Sequence, residues 1–308
     1  MDALSSVLQN IHLRGSVYFS SCFCSPWGLD VDNQERASFH LVVRGHCWLK
    51  VEGYEDPTPL VGGDIVVLPH GIRHQIFDCL GSECIPGKVA VERIMNNDNP
   101  FAGNSENFKI VCGYFEFEHN SPSPLLNALP DVIHLTQEQC QKFKWLDTIL
   151  HMIISEASTE QQGKAALINR ATELLFIQVM RAFILQNKHN SNYFTALNCP
   201  HISQVLSLMH EQYASNWTLE SLSRACGMSR SRFVSHFHSL VGTTPMKYLV
   251  SCRMQQAKKI IAETNTPLNI VAERVGYKSE SAFKNSFKRF FGSTTTRFRG
   301  KSLIRTNE

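Results

Sequence analysis

The chain has 308 residues, 43% hydrophobic and 19% charged; that length suits two or three domains and that balance excludes a disordered polypeptide. No apolar run approaches the roughly 18 residues of a membrane helix, and Met1-Asp2-Ala3-Leu4-Ser5 carries an acid where an export signal carries a base, so a cytoplasmic protein without membrane contact is expected, its ten cysteines mostly reduced. The net charge of +3 hides a division: residues 200–308 hold sixteen Lys/Arg against six Asp/Glu, a surplus of +10, while residues 1–199 carry −7, and a basic C-terminal third favours a polyanionic partner.

Residues 16–120 contain short apolar runs such as Phe39–Val43, Trp48–Glu52, Ile65–Leu68 and Lys109–Cys112, punctuated by Gly62-Gly63-Asp64, Pro69-His70-Gly71 and Gly81-Ser82. That spacing predicts a small β-barrel or sandwich. The Asn-rich stretch Met95–Glu106 predicts an exposed loop. After Pro130 the period becomes helical. Gln137–Glu156 places Phe143, Leu146, Ile149, Leu150 and Ile153 on one face, and Ala165–Gln186 does so with Leu167, Ala171, Leu174, Leu175, Gln178 and Leu185. Two such helices joined by the polar segment 155–163 pack as an antiparallel pair. The polar, aperiodic run 187–192 marks a linker.

From Pro200 onward the chain reads as helix, and it repeats itself. Thr218 and Ser221 are candidate caps for a short helix around Leu219, Leu222 and Cys226, which Gly227 ends. Ser229 opens a second helix whose buried stripe is Phe233, Phe237 and Leu240. The pattern recurs: Pro267 starts a short helix, Gly276 ends it, and Ser279 opens a helix with Phe283, Phe287 and Phe290 inside. Phe233, Phe237 and Gly242 return fifty positions later as Phe283, Phe287 and Gly292, whereas Gly227 returns after forty-nine, so the second turn is one residue longer. A short helix, a glycine turn and a second helix is the helix-turn-helix arrangement, whose second helix fits the major groove of B-DNA. Two copies could read successive groove faces about 34 Å apart.

These residues carry a resemblance. Trp217–Glu220, Gly227-Met228-Ser229, Phe233 with Phe237, Gly242–Tyr248, Arg253, Ala257, Val271–Glu273, Gly276-Tyr277, Ser279, Phe283, Phe287-Lys288 and Phe291-Gly292 resemble the DNA-binding domain of the AraC/XylS family of bacterial transcription regulators. The family's second copy closes on Gly-x-Thr-Pro-x-x-Tyr-Arg; here Thr295 stands for the proline and Phe298 for the tyrosine. The resemblance implies base-reading positions at Arg230, Ser231, Val234 and Ser235 in the first copy and at Glu280, Ser281, Lys284 and Asn285 in the second. Asn285 could pair an adenine edge, Glu280 could accept from cytosine, and Val234 could meet a thymine methyl. Lys258, Lys259, Lys288, Arg289 and Arg299 are expected to contact phosphates.

In the N-terminal region, Gly63, Pro69, Gly71 and His74 form Gly-x5-Pro-x-Gly-x2-His, which resembles the second half of a cupin motif and implies the cupin-type sensor barrel that many members of this family carry. The first half offers His40 alone, with Val42 where a second histidine would stand. A metal triad needs three converging ligands, so no metal and no other cofactor is expected, and His40 and His74 are candidates for facing one another inside the barrel. Six cysteines precede residue 120. The start Met1–Ser5 with Ile110–Gly113 resembles a cupin-bearing subgroup that includes a reactive-chlorine-responsive regulator, which implies Cys112 with Cys22 or Cys24 as redox-active thiols.

The expected organisation is thus α+β and multidomain: a cupin-like effector-sensing β-barrel over 1–130, a helical dimerisation or coupling segment over 131–187, a linker over 188–199, an all-α DNA-binding domain with two helix-turn-helix motifs over 200–300, and a tail over 301–308. The expected function is sequence-specific transcription regulation, read as activation, by a homodimer that binds double-stranded promoter DNA, engages RNA polymerase and answers a small-molecule or oxidant effector. The alternative is a metal-dependent cupin enzyme fused to a DNA-targeting module.

Overall fold

The computed structural model describes residues 2–9, 11, 13–34, 36–103, 107–117, 123–186 and 192–299, and the chain divides into two compact units. The first comprises 13–117 and 129–186. Its strands are β1 (Leu13–Phe23), β2 (Gly28–Val31), β3 (Ala37–Arg44), β4 (His46–Val51), β5 (Thr58–Val61), β6 (Ile65–Leu68), β7 (His74–Phe77), β8 (Ile85–Pro86), β9 (Phe108–Phe117) and β10 (Ile133–Leu135). Among the described residues they form two five-stranded sheets, β1-β9-β3-β6-β10 and β5-β4-β7-β2-β8. Alternation builds the core: on β4, Cys47, Leu49 and Val51 point inward while His46 and Lys50 are exposed. The inward set joins Phe19, Phe23, Trp27, Val66, Leu68, Ile76, Phe108 and Ile110 in one apolar cluster drawn from both sheets.

The Asn-rich stretch is a loop through its described residues 96–103 but is only partly exposed. A helix, α2 (Gly87–Met95), precedes it. Asn99 then donates to the Cys22 carbonyl at 2.8 Å, and Phe101 enters the core; residues 104–106 lie outside the described residues. The first expected helix is also two, α4 (Gln137–Lys142) and α5 (Lys144–Ala157), broken at Phe143. Cys140 and Leu146 are both buried but six positions apart, which one continuous helix would turn to different faces; the break lets both be covered. The next helix, α6 (Lys164–Gln186), buries Ile168, Ala171, Thr172, Leu175, Phe176, Val179 and Met180. The face expected from sequence was rotated from this one: Leu167, Leu174 and Leu185 are exposed. Because α6 packs on both α5 and β1, its buried side is wider than the single stripe of a paired helix.

The second unit comprises 1–12, 118–128 and 187–308. It departs from the expected boundaries at both ends of the barrel segment. Helix α1 (Ala3–Leu8), capped by Asp2, packs on α8 (Pro200–Glu211), with Ala3, Ser6 and Val7 buried and Ser6 Oγ 3.3 Å from Glu211 Oε1. Helix α3 (Pro124–Asn127) meets α7 (Asn192–Asn198). The linker expected over 188–199 therefore contains a helix, since Tyr193, Phe194 and Ala196 are buried within a run whose composition reads as polar. Residues 188–191 of that linker and the tail 301–308 lie outside the described residues. The remaining helices are α9 (Leu219–Ala225), α10 (Arg230–Val241), α11 (Pro245–Glu263), α12 (Leu268–Arg274) and α13 (Glu280–Phe291).

Candidate nucleic-acid interface

Each helix pair is fixed by local chemistry. In the first, Thr218 Oγ1 accepts from the Ser221 amide at 3.1 Å and Ser221 Oγ accepts from the Thr218 amide at 2.9 Å, a reciprocal cap that starts α9. Gly227, at φ +65°, turns the chain, and α10 follows until Gly242 ends it in the left-handed region. Phe233 and Phe237 are fully buried. Helical geometry then sends the intervening positions outward: Arg230, Ser231 and Ser235 are exposed and Val234 half-buried.

The second copy follows the same plan. Gly276 turns the chain at φ +79°, Ser279 Oγ accepts from the Ala282 amide at 3.3 Å, and Phe283 and Phe287 are buried. Ser281, Lys284 and Asn285 are exposed and Glu280 half-buried, with Glu280 Oε1 2.5 Å from Lys284 Nζ. All eight positions implied by the resemblance thus face away from their cores.

The phosphate set divides. Lys259, Lys288 and Arg289 are exposed. Lys258 is not a surface cation: only 2% exposed, its Nζ lies 5.9 Å from the Phe291 ring centre and 5.7 Å from that of Phe298. The spacing of Met254, Ala257 and Ile261, all buried on α11, carries the signal for this, because position 258 falls within their stripe. Arg299 is likewise committed inward, Nη2 donating to the Thr266 carbonyl at 2.6 Å. Lys278, exposed in the extra residue of the second turn, is a cation beside α13 that the repeat alignment passes over.

In the barrel, β3 places His40 opposite Cys112 of β9, and His74 begins β7 in the other sheet. His40 Nε2 lies 2.8 Å from His74 Nε2, His40 Nδ1 lies 3.1 Å from Cys112 Sγ, and His74 Nδ1 lies 2.8 Å from the Ile72 carbonyl. The carbonyl can only accept, so His74 Nδ1 carries hydrogen, His74 Nε2 accepts from His40 Nε2–H, and Cys112 S–H donates to His40 Nδ1. Burial holds His40 well below the usual imidazole range and lowers His74 as well. The donor set does not fit the metal that a cupin fold implies. The two Nε2 atoms are spent on each other, Val42 supplies no ligand, and among the described residues no group of three His, Cys, Asp or Glu side chains could hold an ion.

The three candidate thiols stand apart from one another. Cys112 is buried, and burial pushes its thiol far above the ordinary range, the reverse of an activated cysteine. Cys22 pairs with Lys109 and Cys112 with Phe19, so the two sulfur-bearing residues stand three ladder steps apart, about 10 Å, beyond disulfide reach without backbone movement. Cys24 lies farther along, where its Sγ and Cβ face Gly103. The exposed thiol in this unit is Cys79, in the turn closed by the Ser82 amide on the Cys79 carbonyl; Gly81-Ser82 was its sequence signal.

Comparison with known proteins agrees with both halves. A cupin family model matches residues 2–184 and a helix-turn-helix domain model matches residues 222–301. The HTH-type transcriptional regulator AlkR of Acinetobacter baylyi is 29% identical over 98% of this chain and all of that protein. The RCS-specific HTH-type transcriptional activator RclR of Escherichia coli is 28% identical over 97% of each. Among solved structures, the DNA-binding domain of AdpA in complex with a target DNA is 28% identical, covering 35% of this chain and 97% of that one, with a TM-score of 0.34.

Proposed function

The chain belongs to the AraC-type transcription regulators with an N-terminal cupin domain, and from that premise we propose that it activates promoters as a homodimer under the control of a small-molecule or oxidant signal received by the barrel. DNA binding is the activity of its C-terminal domain. The observation that carries the reading of sequence is the outward set on α10 and α13: eight side chains, none needed by the cores beneath, held by phenylalanines that fix the helices' rotation. Asn285→Ala should cost about 1–3 kcal/mol on the cognate site and relax one base position, whereas Lys288→Ala should weaken all sequences alike and flatten the salt dependence by about one unit of slope. Equal, sequence-independent losses for both would remove the base-reading assignment.

The dimer reading is supported by the apolar side chains left in solvent on the helical pair: Trp145 at 70% exposure on α5, and Leu167, Leu174 and Leu185 on α6. Large apolar groups exposed together, as the three leucines are on α6, mark association surfaces. Leu174→Glu should convert a dimer to a monomer in sedimentation and lower the affinity for paired sites more than for single ones. Activation implies contact with RNA polymerase, and transcription from a cognate promoter with purified polymerase measures it directly. For the signal, Cys79→Ser, Cys112→Ser and the double variant Cys22→Ser with Cys24→Ser separate the oxidant routes: loss of the response in one of them alone assigns it to that thiol, and loss in none removes these cysteines as the sensor.

A further inference from the structure

The two reading faces share one backbone plan without sharing one chemistry. Arg230, Ser231, Val234 and Ser235 of α10 give way, fifty residues on, to Glu280, Ser281, Lys284 and Asn285 of α13. The second face therefore carries an acid, and that acid is joined to Lys284 at 2.5 Å, one helical turn further along. An acid entering a groove walled by phosphates is a liability unless a donor meets it there. In the major groove the donors are the N4 amino group of cytosine and the N6 amino group of adenine; guanine and thymine present acceptors or a methyl group. The partner cation decides between the two. The guanine paired with a cytosine offers both O6 and N7 to an ammonium, whereas the thymine paired with an adenine offers O4 alone.

We propose that Glu280 and Lys284 read as one unit and that the unit demands a C·G pair, Glu280 accepting from cytosine N4 and Lys284 donating to guanine O6 and N7. The inference rests on the base-reading assignment above, in which Glu280 meets cytosine, and adds to it the guanine contact of Lys284, the coupling of the two side chains and a means of exclusion. A base without an amino group leaves the desolvated carboxylate with no partner from the duplex, so discrimination comes from penalty as much as from attraction. In the free protein Lys284 neutralises Glu280, which keeps the face from repelling the duplex during approach. At the corresponding positions of α10 stand Arg230 and Val234, suited to guanine and to a thymine methyl. The two half-sites read by one chain are consequently different in sequence.

The test is selection from a library of randomised duplexes by the full-length protein, its Glu280→Gln variant, and a variant carrying Glu280→Arg with Lys284→Val. Both positions are at least partly in solvent, and thermal melting establishes that each variant is folded. The wild type should prefer C·G at one position of one half-site by about 10-fold or more. Glu280→Gln should move that preference to adenine, which glutamine pairs through N6 and N7, and the double variant should move it to guanine; the other half-site should stay as it is in all three. A uniform gain in affinity for every duplex with Glu280→Gln, its preferences unchanged, would mean that the acid only repels phosphates and would overturn the pair while leaving base reading elsewhere intact. A wild type with no sequence preference at all would overturn the pair together with the assignment on which it rests.

Discussion

The two helix-turn-helix copies are closed by related turns but locked by opposite means. After α10 the chain passes through Gly242 into Pro245 and Tyr248, and after α13 through Gly292 into Thr295 and Phe298. Tyr248 is buried and polar: its hydroxyl lies 2.8 Å from His210 Nε2 and 3.0 Å from the Tyr193 hydroxyl, tying α11 to α8 and α7. Phe298 has no hydroxyl. It packs edge-on to Phe287 and stacks with Phe291, and the Lys258 ammonium sits over the Phe291 and Phe298 rings. Where the family has a proline and a tyrosine, the second copy has Thr295, which is buried, and Phe298 in this ring cluster. Aromatic packing and a cation–π contact close this turn, and the cation is Lys258, one of the five expected phosphate contacts.

The sharpest way to break the comparison lies in the turns. Gly227 and Gly276 both take left-handed φ values, but nothing stands within 4 Å of where a Cβ would be on Gly227, whereas on Gly276 it would meet the Ala214 carbonyl at 2.5 Å and Arg253 Nη2 at 2.9 Å. Gly276→Ala therefore combines backbone strain of about 1–2 kcal/mol with overpacking of about 1–3 kcal/mol; Gly227→Ala carries the strain alone. Chemical denaturation should show roughly twice the loss for the second turn. Equal losses would mean that the close approach at Ala214 relaxes without cost.

Acid should distinguish the copies next. Burial lowers His210 to about 4, against about 6.5 in an unfolded chain. Between those values the unfolded state binds a proton that the native state refuses, so stability is fully present above pH 6.5 and falls as pH drops toward 4, by on the order of 3 kcal/mol. His40 and His74 act in the same direction in the barrel unit. Melting the full chain and His210→Gln at pH 7 and pH 4.5 isolates the contribution of the first copy: the variant should be the less stable at pH 7 and should lose less on acidification. Parallel loss in both proteins would place the acid sensitivity elsewhere.

The polar lock itself is expected to be worth less. Tyr248→Phe gives the first copy the aromatic found in the second and leaves the Tyr193 hydroxyl and His210 Nε2 without that partner, at about 1–3 kcal/mol. Lys258→Met should leave the salt dependence of DNA binding unchanged, because the ammonium it removes is buried under the Phe291 and Phe298 rings and away from phosphate. A flattened salt dependence would return Lys258 to the phosphate set.

What was legible in the sequence was what neighbouring residues decide. The caps at Thr218 and Ser279, the glycine stops and the paired phenylalanines act within a dozen residues, and the repeat displayed them twice. The strands at β3, β4, β6 and β9 were legible for the same reason. What was hidden depends on partners distant along the chain. Nothing near Ala3 or Val7 indicates that they pack on α8, some two hundred residues away. The exposed side of α6 could not be chosen until β1 and α5 were known to cover the other. Lys258 falls on the buried stripe of α11, but what accommodates an ammonium there, the rings at 291 and 298, lies more than thirty residues away. Within the candidate interface, the outward placement of the eight proposed positions follows from the phenylalanine stripe, and the i,i+4 spacing of Glu280 and Lys284 allows the pair that the helix forms.

The smallest difference between the copies is at the start of the reading helices. Ser229 and Ser279 occupy the same N-cap position with extended backbone, but only Ser279 caps with its side chain, accepting from the Ala282 amide; no side-chain cap bond forms at Ser229. Glu280 in the first turn of α13 adds a charge favourable to the helix N-terminus, where α10 has Arg230 and no acid. Ser279→Ala should therefore cost about 1 kcal/mol and Ser229→Ala only a few tenths. Amide hydrogen exchange in the first turns of the two helices measures this better than global melting, because fraying is local: protection should drop in α13 of the Ser279→Ala protein and hardly change in α10 of the Ser229→Ala protein. If both helices lose protection equally, Ser229 forms its cap in solution, and the difference between the reading helices lies in their side chains alone.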